Sequence, residues 1–170
     1  MKTISTPAPA VKAVSAAVDA KPSPNTLIPT AIYVRTYKPE VAAARANYLA
    51  DELSARNLSA RNVSTYYSQY VVAGVYLDTE ENERLCPNFY RLLDDIKDGK
   101  VKRVVCRNLS SFGRSALESF GWMESVRHAG GSVYFSKENL DSERDRRTLE
   151  QMLSVYVQCA IHDSAAGIGR

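Results

Sequence analysis

"IKDGKVKRVVCRNLSSFGRSALES", residues 96–119, is the stretch that decides the fold. It reads as the end of a helix stopped by Gly99, an apolar strand over 101–106, a polar loop, and "FGRS" opening another helix. Helix, stop, buried strand and loop in such quick succession argue for an α/β sheet with short connections. In sheets of this kind ligands gather beyond the carboxyl ends of the strands. The loop "RNLSSFGRS", 107–115, is therefore a first place to look for function.

The pattern extends in both directions. Upstream, "CPNFYRLLDDIKDGK" sets Phe89, Leu92, Leu93 and Ile96 at helical spacing, with Pro87 suited to a first turn. "QYVVAGVYLD" (69–78) is short and β-rich. "PEVAAARANYLADELSARN" places Ala42, Ala46, Leu49 and Leu53 on one helical face, and the strand before it runs over roughly 30–36. Downstream come a helix ended by Gly130 and Gly131, the strand "SVYFS" (132–136), and a final helix in "RDRRTLEQMLSVYVQCAIHDSAAG". The expected fold is α/β: a mainly parallel four- to five-stranded sheet flanked by helices, with a long C-terminal helix. No internal repeat is visible.

The chain has 170 residues, 45% apolar and 24% charged, with a formal net charge of +3. That suits one folded domain and is compatible with a nucleic-acid partner. Residues 1–29, rich in Ala, Pro, Ser and Lys, are expected to be a flexible tail, leaving a domain over 30–170. No apolar run is long enough to span a membrane. Cys86, Cys106 and Cys159 are widely spaced, and His128 and His162 stand apart, so neither a disulfide framework nor a metal site is expected. The expected compartment is the reducing cytoplasm.

Two arginines stand out. Arg35 ends the apolar run "AIYV", where an unpaired guanidinium would be costly. It either pairs with a carboxylate such as Asp78 or clamps a phosphate at the mouth of the sheet. Arg114 lies near a helix N-terminus, where free amides already favour an anion. Two guanidiniums at two strand ends would suit phosphoryl transfer; an ordinary loop arginine is the plainer alternative.

"AIYVRTY" (31–37), "YLDTEENERLCPNFYRLLDDIKDGKVKRVVCRNLSSFGRSALES" (76–119) and "GGSVYFSKENLDS" (130–142) together resemble the catalytic domain of serine site-specific recombinases. The likeness is to the resolvase/invertase group, and within it to the large recombinases of transposons and phages. The resemblance implies a protein that binds DNA as dimers, synapses into tetramers and exchanges strands. In that chemistry a serine after the first strand attacks the phosphodiester, leaving a 5′-phosphoserine link while arginines neutralise the phosphate. It implies no metal or nucleotide cofactor.

Position by position, the motif is degenerate. Tyr33 and Arg35 match Tyr-x-Arg-x-Ser, but Tyr37 stands at the nucleophile position. Cys86-Pro87-Asn88-Phe89 lacks the arginine expected before proline. Ser110 and Arg114 fit the loop motif, while Ser111 replaces its first arginine. The resemblance thus nominates Arg35, Arg114 and Tyr37 as catalytic positions and Arg35, Arg114 and Ser110 as DNA contacts. Thr36 is expected on the opposite face of the strand.

Leu149, Met152, Leu153, Tyr156 and Ile161 form an apolar stripe on the last helix. It packs on its own sheet or, as the resemblance implies, builds a dimer interface. Arg144, Arg146 and Arg147 are either a solvated helix start or phosphate contacts. No separate DNA-binding domain is recognisable after that helix. The leading expectation is a pseudoenzyme, possessing the recombinase domain but impaired in catalysis: a truncated mobile-element remnant or a partner that assembles with an intact recombinase, touching DNA weakly or indirectly. The rivals are a non-enzymatic accessory module, homodimeric or paired with an intact recombinase, and an unrelated α/β domain binding a small anion.

Overall fold

The computed structural model describes residues 27–63, 69–79 and 85–166. The elements follow the alternation read from sequence: β1 (Leu27–Thr36), α1 (Pro39–Val63), β2 (Gln69–Thr79), α2 (Pro87–Lys97), β3 (Arg103–Cys106), α3 (Ala116–His128), β4 (Ser132–Phe135), β5 (Leu140–Asp141) and α4 (Arg146–Ala166). A single turn of 3₁₀ helix, Leu109–Ser111, follows β3. The sheet order is β2-β1-β3-β4-β5. All pairings are parallel except that of β5, which runs antiparallel to β4.

β1 begins three residues before the expected Thr30, so Leu27–Pro29 belong to the strand. Pro29 is tolerated because β3 joins β1 only from Thr30 onward, so its missing N–H breaks no ladder bond on that side. The remainder of the expected tail, residues 1–26, lies outside the described residues.

Alternation along β1 divides the core between the sheet's two faces. Ile32 and Val34 pack with Ala46, Leu49 and Leu53 of α1. Ala31 and Tyr33 face α2 and α3, among Phe89, Leu92, Phe112, Phe120 and Phe135. The stripe read for α1 is buried at all four positions, Ala42 included. Across the sheet the packing is aromatic: Phe89 stacks on Trp122 with centroids 4.0 Å apart, and Tyr33 meets Phe112 edge-on at 5.6 Å. Such pairs add about 0.5–1.5 kcal/mol beyond area burial.

α2 opens at Pro87 and gives way to Gly99 at φ 75, a left-handed stop that glycine accepts without strain. α4 is anchored by Leu149, with Met152 and Leu153 partly buried. Beyond them Val155, Tyr156, Val157 and Ile161 are exposed. The stripe is therefore a core contact at its start and a free apolar surface at its end. No helix among the described residues is long and apolar enough to cross a membrane.

This topology fixes where a ligand would bind. The chain leaves β1 toward β2 on one side and returns through α2 to β3 on the other. The reversal of strand order lies between β1 and β3, and the crevice beyond their carboxyl ends is the switch point of the sheet.

Candidate functional site

Both nominated arginines border that crevice. A cavity of about 320 Å³ is lined by Arg35, Thr36, Tyr37, Lys38, Arg45, Asp78, Thr79, Ser110, Ser111, Gly113 and Arg114. Arg35, Tyr37, Ser110 and Arg114, remote in sequence, meet around it. The lining carries four cationic side chains, Arg35, Lys38, Arg45 and Arg114, against one carboxylate, Asp78. An anion is the complementary ligand.

The floor is built first. Asp78 is fully buried, beside Arg35 in the β1–β2 register. Its carboxylate accepts from the Tyr33 hydroxyl at 2.9 Å and from the Asn88 and Phe89 amides at 3.1 and 3.0 Å. Those amides open the first turn of α2, where a negative charge is favoured, and the Phe89 amide is shared with the Cys86 carbonyl at 3.0 Å. A carboxylate on β2 thus pins a helix start to the sheet. Burial, and then the neighbouring Asp78 charge, push the Tyr33 phenol far above its ordinary range, so it remains a proton donor.

Arg35 rises from this floor at 9% exposure, its guanidinium 5.6 Å from the centroid of the Tyr37 ring. Tyr37 itself is 54% exposed. Thr36 borders the same cavity rather than standing apart from it; its hydroxyl accepts from the Lys38 amide at 3.2 Å, turning the chain toward α1. Strand alternation alone fails there because the strand ends at that residue.

The opposite wall is the 3₁₀ turn and the start of α3. Asn108 caps the turn, its side-chain oxygen accepting from the Ser111 amide at 3.1 Å. The Ser111 hydroxyl donates to the Asn108 carbonyl at 3.2 Å, while Ser110 is exposed. Gly113 is required by close approach: a Cβ there would meet the Ser119 amide nitrogen at 2.7 Å. Ser115 caps α3 by accepting from the Glu118 amide at 3.1 Å. Glu118 in turn grips Arg114, accepting from Nε at 2.9 Å and Nη2 at 2.6 Å as well as from the Arg114 backbone amide. Those hydrogen bonds hold the Glu118 carboxyl below its usual range.

Cys86 occupies the position where the resemblance puts an arginine. It is buried at φ 40, a left-handed conformation unusual for a non-glycine residue. Burial pushes its thiol up, with Asp78 adding to the effect and Arg35 and Arg114 opposing it. A neutral thiol is no activated nucleophile. His128 ends α3 with its ring nitrogen 2.7 Å from the Glu124 carbonyl, remote from this cavity. At the start of α4, Arg144 and Arg146 pair with Asp145 and Glu150.

Sequence reasoning missed Lys38, Arg45 and Glu118. The helix after β1 must begin at the switch point, so a basic residue in its early turns was a usable signal. The i,i+4 spacing of Arg114 and Glu118 was another.

The family model described as "Resolvase, N terminal domain" matches residues 42–163. Among solved structures, the chain is similar to a resolvase family site-specific recombinase from Streptococcus pneumoniae. That match has 18% identity and a TM-score of 0.59, covering 83% of this chain and 95% of the other. It is also similar to the N-terminal catalytic domain of TP901-1 integrase, at 16% identity and a TM-score of 0.57, covering 83% and 98%. A search of curated proteins finds no match.

Proposed function

The chain belongs to the resolvase family of serine recombinase catalytic domains, and from that premise we propose that it grips a DNA phosphodiester but is impaired in exchanging strands. The reading rests on one observation: Arg35, Arg114 and Tyr37 border a single cationic cavity at the switch point of the sheet.

Three features weigh against efficient cleavage. First, the nucleophile position holds a tyrosine, whose oxygen lies several bonds further from the backbone than a serine's. Misplacement of a reacting atom by about 1 Å costs on the order of 10²-fold. Second, Cys86 and Ser111 stand where two guanidiniums would stabilise the crowded phosphorane. Each lost donor costs about 10²–10³ in rate, together on the order of 10⁴ or more where losses add. Third, Arg114 is already held by Glu118, so it meets a phosphate only by sharing or surrendering a charge-assisted pair. Tyr37 serves instead as the face against which the Arg35 guanidinium rests.

The test is a nicked suicide duplex that traps any protein–DNA adduct. No adduct is expected. A covalent species that disappears in Tyr37→Phe would establish an active tyrosine nucleophile and refute the impaired reading.

A second reading is favoured by α4, whose exposed Val155, Tyr156, Val157 and Ile161 offer an apolar surface to another subunit. On this reading the chain is an accessory module that assembles with itself or with an intact recombinase. Light scattering of the chain, alone and mixed with an intact relative, distinguishes it: a strict monomer in both samples counts against the accessory role.

A further inference from the structure

Resting on the reading that the cationic cavity takes a DNA phosphate, we propose that the bound strand continues past Arg35 into a second phosphate subsite, built by Arg45 of α1 and Arg107 after β3. The two residues line a neighbouring cavity of about 430 Å³ together with Arg35, Tyr48, Asn108 and Ser111. Arg35, Arg45 and Ser111 line both cavities, which are therefore two stations of one furrow. Three guanidiniums and no carboxylate border the second station.

Pairing sets this cluster apart from most other surface arginines, and its place in a furrow sets it apart from Arg91 and Arg147, which are exposed and likewise meet no carboxylate among the described residues. Arg56, Arg114, Arg127, Arg144 and Arg146 each have a carboxylate within salt-bridge distance. Arg45 and Arg107 meet none among the described residues, though both are exposed and both face the furrow. Like charges gathered on the lining of one furrow raise its positive potential and favour an anion there.

Arg107 is also preorganised. Its guanidinium carbon lies 4.9 Å from the centroid of the Tyr48 ring, a cation–π contact that restrains the side chain. Its backbone is fixed by β4's continuation, the Arg107 carbonyl accepting from the Lys137 amide at 2.8 Å. Arg45 projects from the second turn of α1, on the far side of the same station. A planar, bidentate donor set that crosses an open furrow suits the non-bridging oxygens of a phosphodiester. Two such stations in succession suit the repeating charge of a strand rather than a single small anion.

The experiment uses the full chain and a fluorescein-labelled duplex, followed by anisotropy between about 50 and 200 mM salt. Arg45→Gln and Arg107→Gln should each reduce the slope of log K against log salt by about 0.9, and the double variant by about twice that. Binding by the double variant should fall at least tenfold at the low-salt end. Lys97→Gln, an exposed site at the opposite end of the sheet, should leave the slope unchanged, and matching melting temperatures establish that the glutamine variants are folded. Unchanged slopes in Arg45→Gln and Arg107→Gln, with a reduced slope in Arg35→Gln, would overturn the second subsite and leave the proposed function standing. A chain that ignores the duplex but is stabilised by pyrophosphate through Arg45 and Arg107 would overturn the strand path and the DNA reading together, leaving a small-anion site. Indifference to both probes would overturn every part of the proposal.

Discussion

Asp78, on the floor of the cationic cavity, is fully buried and shared by a hydroxyl and two helix amides; Tyr37, at its rim, is 54% exposed and in contact with a guanidinium face. Both lie at the carboxyl end of the sheet, a few residues from the same strands. The floor is what the fold needs: remove Asp78 and the start of α2 loses its anchor. On the proposed reading strand exchange would draw on the rim, where Tyr37 stands at the position for which the resemblance implies a serine. On that reading a scaffold whose stability depends on its floor keeps its fold while the chemistry of its rim changes.

The floor can be broken directly. Asp78→Ala takes the partner from the Tyr33 hydroxyl and the Asn88 amide, while the Phe89 amide keeps the Cys86 carbonyl, at about 1–3 kcal/mol for each buried group left unpaired. The expected loss is about 4 kcal/mol, or a fall in melting temperature of roughly 10 °C. Calorimetry checks it; a loss below about 1 kcal/mol would show that the floor is not structural. Tyr33→Phe tests one strand of the same anchor. It keeps the aromatic packing against Phe89 and Phe112 but deletes one hydrogen bond to the carboxylate. Its expected cost in urea unfolding is smaller, about 1.5–2 kcal/mol.

How much of this was legible in the sequence follows the same division. Helices with a clear stripe, such as Ala42, Ala46, Leu49 and Leu53, were readable because burial repeats along a local period. The strand β5, only two residues long, carries no period at all. Pro29 looked like a boundary because a proline's fitness in a strand depends on which neighbour is present, a tertiary fact. Arg35 and Arg114 were readable as a pair through the resemblance, and the structure brings them to one cavity. From sequence, Asp78 is only an example of a carboxylate that could pair with Arg35, one of two alternatives for that arginine. Its role in holding α2 was hidden because it reaches amides that begin 10 residues later in the chain.

The rim is expected to respond weakly, and to pH. Glu118 has its carboxyl lowered by Arg114, so its contribution is fully present above the ordinary glutamate range and is lost as pH falls through the depressed value. Arg114 is 49% exposed, so solvent screening limits the pair to less than about 1 kcal/mol. Glu118→Gln should lower stability by less than about 1 kcal/mol at neutral and alkaline pH, the difference from the parent chain vanishing as pH falls below about 4.3. Thermal melts from neutral to acid pH check the sign: a loss confined to acid pH would contradict it.

The most direct measurement is an NMR titration of the full chain with a short DNA duplex, following the arginine side-chain Nε–H resonances, with those of Arg35 and Arg114 identified through Arg35→Lys and Arg114→Lys. Both resonances should move together along a single binding curve, each losing its response when the other arginine is replaced by glutamine or weakening with it. Movement of one alone, or two curves with unrelated midpoints, would mean that the two guanidiniums do not share a phosphate.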